Sequence, residues 1–403
     1  MKKLILPLVI TSVASVASVA FADFYRTGNA DTDWSNLDNW TTDIEGTTPA
    51  ASVPGIGNDT TWYFLDAANG TTTVVDSSQG SLKATQINSK SANLTFDGAT
   101  INVSNRVNFG FRSDTIPTTP ATEDNRNTVN VVFQNGANLT TWMAYLGNEE
   151  YTDVNLKITG NSTFTITSTT WNHFQGVNAK NSTTTVLIDK GSTFKTGTSL
   201  TTNGTHSLGQ NSTALWDIKG NLTSAAIYTT DSAGTQSTIN IYGSATVSTG
   251  EVKANRSNSF LNFIMQDVDF AKMSLVADDT IVDNSIDAIL TATDFANVGN
   301  FTITLDLENF SVDGDFDAGE TYVVALIRLT ETLEPFDISN ISIANSDKMG
   351  ETWSLAEGEN FFWEDNTLFL KVASIGSSIP EPSTCAAIFG AVALAFAAYR
   401  RRK

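Results

Sequence analysis

Few side chains in this 403-residue chain are equipped for chemistry, and their spacing narrows what they could do. Acids outnumber bases, with 43 Asp and Glu against 23 Lys and Arg, so paired carboxylates come first. Cleaving a glycosidic bond needs two carboxyl groups facing each other across a cleft, about 5–10 Å apart. The adjacent pairs Glu149-Glu150, Asp278-Asp279 and Glu364-Asp365 do not provide this, because neighbours on a strand point to opposite faces. They read as solvated loops. Carboxylates distant in sequence remain free to converge. A polysaccharide lyase would also need a base, with a metal or Arg to neutralise the sugar acid, and the bases here are scattered. His173 and His206 stand 33 residues apart and read as surface positions. Two His and one Cys (Cys385) make a zinc site of the usual ligands improbable and exclude an intrachain disulfide. No Gly-rich phosphate cradle opens a helix.

The segment Asp313-Gly314-Asp315-Phe316-Asp317-Ala318-Gly319-Glu320 has the alternating hard oxygen donors that open a calcium loop. Its sixth position is Ala318 where a Gly is needed, its twelfth is Val324 where a Glu is needed, and its flanks read as strands. A hairpin loop between Phe310 and Tyr322 is the expectation, with Asp313, Asp315 and Asp317 as a weak Ca²⁺ site. No other cofactor is expected.

The elements that must position these groups are strands. Only 16% of residues are charged and 40% are hydrophobic, while about one residue in seven is Thr. Thr favours strands, and the abundant Asn and Gly favour turns. A unit recurs in which an alternating strand runs into a Gly-centred turn and out into another alternating strand. It reads Asn93-Leu94-Thr95-Phe96-Asp97-Gly98-Ala99-Thr100-Ile101-Asn102-Val103, and returns around Gly136, Gly160, Gly191, Gly220 and Gly243. Steps of 38, 24, 31, 29 and 23 residues between these glycines suit one supersecondary unit per repeat. Alternation gives each strand one apolar face that the next repeat must bury. The expected fold is all-β: a right-handed parallel β-helix (solenoid) with a C-terminal β-cap. An antiparallel sandwich, with hairpins every 8–12 residues or so, is the alternative. Near Asn255 Thr thins out and Asp, Phe and Leu increase.

The two ends differ from the rest. Residues 1–22 have two Lys (Lys2, Lys3), an apolar run and Ala20-Phe21-Ala22, which is the pattern of a secretory signal peptide cut before Asp23. The other end runs Pro380-Glu381-Pro382, Ser383-Thr384, an apolar stretch from Cys385 to Tyr399, then Arg400-Arg401-Arg402-Lys403. Fifteen helical residues span roughly 22 Å, short of the ~30 Å hydrocarbon core, so a single short transmembrane helix with a basic cytoplasmic stop is expected. The net charge is −20. Six bases and no acid lie in residues 1–22 and 385–403, which leaves −26 between them. That opposes nucleic acid, whose phosphates need clustered Lys and Arg.

Pro-Glu-Pro, a short apolar helix and an Arg-rich end resemble the PEP-CTERM sorting signal of Gram-negative bacteria. The resemblance covers only residues 379–403. It implies recognition of Pro380, Glu381 and Pro382 by an exosortase-type membrane enzyme that releases or transfers the rest of the chain. The N-terminal segment Trp34-Ser35-Asn36-Leu37-Asp38-Asn39-Trp40, followed by Pro54-Gly55-Ile56-Gly57-Asn58-Asp59-Thr60, is similar to the opening turn of autotransporter-like β-helix proteins. Trp34 and Trp40 would close the first turn, or form a sugar-stacking platform. Four regions result: signal peptide 1–22, strand-rich body 23–255 with its N-terminal cap, β-rich region 256–375, and sorting signal 376–403. The functional expectation is a secreted, non-enzymatic cell-surface or extracellular-matrix protein. It would pass through the inner membrane, be anchored there transiently, and meet envelope or extracellular polysaccharide outside. A polysaccharide-active lyase or hydrolase and an adhesin stand as alternatives.

Overall fold

A computed structural model describes residues 23–27, 31–56, 60–64, 72–110, 121–169, 174–175, 181–201, 211–229, 235–331 and 336–375. The protein is all-β with parallel sheets, and among the described residues there is no α-helix, only short 3-10 turns such as Leu37–Asn39. No helix among them is long and apolar enough to cross a membrane. The apolar run expected to do so lies outside the described residues.

Parallel pairing organises the chain into three ladders. Ladder I stacks ten strands in chain order: Thr72–Asp76, Ala92–Asp97, Asn127–Gln134, Thr152–Ile158, Thr183–Ile188, Thr213–Ile218, Gln236–Tyr242, Ser259–Ile264, Phe301–Asp306 and Ile341–Ala344. Nine strand spacings give it a length of roughly 43 Å. Ladder II runs through 81–84, 100–103, 138–141, Thr163–Ile166, Thr193–Thr196, Asn221–Thr223, Thr246–Ser248 and Leu290–Ala292 to Thr321–Leu329. Ladder III begins with Asp23–Arg26 and Thr60–Phe64, and continues through 86–89, 106–109, 143–146, Phe174–Gln175, Ser199–Thr201, Ala226–Tyr228 and Glu251–Lys253 to Asp294–Ala296. From ladder I the chain turns into ladder II, bends into ladder III, and returns to ladder I one strand further on.

The residue pattern explains this order. In Val129-Asn130-Val131-Val132-Phe133, Val129, Val131 and Phe133 are buried while the residues between them are partly exposed. The register places them beside Val154, Leu156 and Ile158 of the following strand, also buried. Aromatic side chains line up along the same interior. Phe133 stacks on Phe96 at 4.7 Å and on Phe164 at 5.5 Å, and Phe194 continues the row to Trp216. Outward positions carry Asn and Thr. The Asn130 amide donates to Asn93 Oδ1 (2.7 Å), and Asn155 donates to Asn130 Oδ1 (2.9 Å).

The recurring glycines sit at the corner between ladders I and II. Gly191 has φ +78°, a left-handed conformation that a side chain would strain. Gly220 is required for a different reason. A Cβ there would lie 2.3 Å from the Asp189 carbonyl oxygen and 2.4 Å from that of Ser192, both in the preceding repeat.

Ladder I crosses the composition change at residue 255 without interruption, through Ser259–Ile264 and Phe301–Asp306. The pairing changes character further on. Thr321–Leu329 pairs in antiparallel fashion with Thr367–Ser374 and Met273–Ala277, and Trp353–Leu355 and Phe361–Glu364 add to Thr367–Ser374. Two of the carboxylate pairs belong here, in tight hairpin turns. Asp278 and Asp279 (φ +49° and +57°) join Met273–Ala277 to Thr280–Ile281, and Asp365-Asn366 (φ +46° and +59°) joins Phe361–Glu364 to Thr367–Ser374. At the N-terminal end Trp34, Trp40 and Trp62 are buried, with Trp34 stacked on Trp62 at 5.7 Å.

Phe133→Ala leaves a hole in the aromatic row and is expected to cost about 3–5 kcal/mol. Gly220→Ala forces the corner apart and is expected to cost about 1–3 kcal/mol. Denaturant titration of both variants against the wild type, with β-structure followed by circular dichroism, checks these values.

Candidate functional site

Several residues singled out from sequence lie outside the described residues: Ala20, Ala22, His173, His206, Pro380, Glu381, Pro382, Cys385, Arg400, Arg401, Arg402 and Lys403. Asp23, the expected first residue after signal removal, opens ladder III and pairs with Thr61. Burial raises its carboxyl pKa, partly countered by a hydrogen bond from Thr61. Beside it Tyr25 stacks flat on Tyr63, with centroids at 4.8 Å and an interplanar angle of 9°. Burial, reinforced by Asp23 and Tyr25, pushes the Tyr63 phenol up to about 12.

The three aspartates expected to hold Ca²⁺ are not gathered. Asp313 forms an ion pair with Lys190, and the Asp317 backbone N–H donates to the Tyr322 hydroxyl at 2.9 Å. Between them Phe316 turns inward onto Trp353, with centroids 4.5 Å apart. Among the described residues no group of three or more His, Cys, Asp and Glu side chains is placed to hold a metal ion. The segment is not a simple hairpin loop either, because Val312-Asp313 pairs in parallel with Val268-Asp269.

Trp34 and Trp40 are 0% and 1% exposed, and the Trp40 indole N–H donates to the Trp34 carbonyl at 2.6 Å, so their burial fits closure of the first turn and neither ring offers a face to a sugar. One other expectation is corrected. Glu149 is not a solvated loop acid. It pairs with the buried Lys90 at 3.3 Å and accepts from the Asn127 amide at 3.0 Å.

Among the described residues two open grooves are candidates. The larger, about 660 Å³, is lined by Glu123, Arg126, Tyr151, Asp153, Asn181, Thr183 and Asn211. Its Arg126 guanidinium grips the Asp153 carboxylate with two bonds (2.8 and 2.6 Å) and donates to the Asn181 carbonyl at 2.9 Å. The Asp153 bond raises its pKa further. These bonds tie three successive repeats together, and the guanidinium acts as a brace.

The second groove, about 400 Å³, lies where ladder II bends into ladder III. Lys83, Asn102, Ser104, Thr140, Trp142 and Thr167 give it its character. Trp142 is 41% exposed, whereas Trp34, Trp40, Trp62, Trp216 and Trp353 are at most 2% exposed. Local geometry turns it outward. Leu139 and Thr141 point inward, so alternation sends Trp142 to the surface, and Thr141 Oγ1 pins the bend by donating to the Met143 carbonyl at 3.0 Å. On the neighbouring strand two residues, Ser104 and Asn105, occupy the interval between Val103 and Arg106, against Trp142 alone between Thr141 and Met143. That bulge widens the surface beside the indole. Alternation counted from Leu139 would have identified Trp142 from sequence. The bulge leaves no signal of its own.

No protein family, curated protein or solved structure matches the chain.

Two expectations follow. Titrating the full chain with Ca²⁺ in a calorimeter should give no binding heat from the Asp313–Asp317 segment, and Asp315→Asn should leave the trace unchanged. The Tyr63 phenol ionises near 10 when unfolded and near 12 when folded, so its contribution to stability is complete below pH 10 and is lost as pH rises through 12. Phenolate absorbance should show a late step near pH 12 that Tyr63→Phe removes, and the variant should lose stability less steeply between pH 10 and 12.

Proposed function

We propose that the chain is a secreted, non-enzymatic structural protein of the cell surface or extracellular matrix. Its body is a right-handed parallel β-helix closed by a C-terminal β-cap. The observation that carries the reading is the triple ladder, in which the chain from Thr72 to Asp306 meets ladders I, II and III in the same order pass after pass. A continuous interior with Asn and Thr outside is what a rigid spacer in an aqueous, polymer-rich surrounding requires. The antiparallel strands after Thr321 support the cap reading, because they cover strand edges that would otherwise template association.

The sorting reading rests on the two ends of the sequence. Residues 1–22 direct export through the inner membrane of a Gram-negative bacterium. Pro380-Glu381-Pro382 presents an extended recognition strip to an exosortase-type enzyme, ahead of a short membrane helix that Arg400-Arg401-Arg402-Lys403 holds on the cytoplasmic side. The mature protein then stands at the surface or outside the cell, where envelope or extracellular polysaccharide is its partner. The large negative charge of the body keeps copies apart.

Mass spectrometry of the protein from its native host tests this. The expected N-terminus is Asp23, and the expected C-terminus lies between Pro380 and Ser383. Recovery of an intact chain ending at Lys403 in the cytosolic fraction overturns the proposal.

A further inference from the structure

We propose that the groove at Trp142 binds a neutral glycan chain. The inference deepens the polysaccharide partnership above by giving it a site and a ligand class, and it rests on that reading.

A sugar ring presents an apolar face of C–H groups and a rim of hydroxyls. Its recognition needs a flat apolar plate beside hydrogen-bonding groups at fixed spacing. The groove has both. Trp142 is the plate, exposed beside outward neighbours that are polar. Lys83, Asn102 and Thr140 share one register row on three successive strands, two strand spacings or roughly 10 Å from end to end. That is about the length of a disaccharide. Ser104 and Thr167 add hydroxyls on either side of the indole.

The row is held before any ligand arrives. The Asn102 amide donates to Ser81 Oγ at 3.3 Å. Thr167 is tied to the Thr141 carbonyl through its backbone N–H (2.8 Å) and its hydroxyl (3.2 Å). The backbone under Trp142 is fixed as well, since its carbonyl accepts from the Ser168 N–H at 3.1 Å. A site built on paired strands loses little conformational freedom on binding.

Charge selects the ligand class. Among the described residues Lys83 is the one charged side chain lining the groove, a single cation that cannot match a run of carboxylates, and the net charge of the whole chain is −20. A polyanionic chain of uronic acids is therefore repelled over its length, while a neutral chain is not.

Affinity electrophoresis of the full chain through gels containing laminarin, galactomannan or dextran, with alginate as the polyanion, provides the test. Retardation by at least one neutral polysaccharide is expected. Trp142→Ala should weaken it at least tenfold, Trp142→Phe should retain part of it, and Thr185→Ala on ladder I should leave it unchanged. Circular dichroism establishes that each variant is folded; if Trp142→Ala is not, Asn102→Ala with Lys83→Ala takes its place, with the same weakening expected. The proposal is overturned if the folded wild type is retarded by none of the three neutral chains, if alginate alone retards it, or if the folded groove variant runs as the wild type does. The mature termini are read independently, so a failed groove leaves the sorting proposal standing, and a failed sorting proposal leaves the gel result intact.

Discussion

One constraint underlies the structure: an inward side chain on one strand needs an apolar residue at the same register on the next to cover its flank. A single column of ladder I displays it, running Val75, Phe96, Phe133, Ile158, Ile188, Ile218, Ile241, Phe263 and Leu305, each at most 2% exposed. A slip of one residue anywhere would bring Val132 or Gln134 into the place of Phe133 and turn the apolar set toward water. Register is thus enforced by the core itself. The loops between strands vary freely in length, which is why the repeat is irregular in sequence and regular in space.

The same constraint makes the ends the difficult places, since the last strand has nothing beyond it. At the N-terminal end three indoles fill the interior. At the other end antiparallel strands are added to the last parallel ones. Thr321–Leu329 is buried on both faces, with Val324 and Leu326 in the main core and Val323 and Ala325 in a second cluster with Ala288 and Phe369. A strand sandwiched this way reads in sequence as a continuous apolar run rather than an alternating one.

Much of the body was legible because period-two alternation and Gly-centred corners are local signals. The copies around Gly98, Gly136 and Gly160 place their strands where the structure has them. What sequence could not give was partnership at a distance. The acid pairs illustrate this: Asp278, Asp279 and Asp365 are turn residues, as loop chemistry suggests, while Glu364 ends a strand and Glu149 is drawn in by Lys90, 59 positions earlier. Asp313 is likewise engaged by Lys190, more than a hundred positions away, and three aspartates that look like a donor set along the chain are not gathered into one.

The outward amides carry a direction. In the row Asp217, Asn240, Asn262, the carboxylate at the foot can only accept, so Asn240 must turn its NH₂ toward it and offer its oxygen to Asn262. The choice made at Asp217 passes up the row, as it does from Asn93 through Asn130 to Asn155. Aligned dipoles of this kind polarise one another. The two rows therefore share a sense, written in side chains: every bond runs from the later strand's amide to an oxygen on the strand before it.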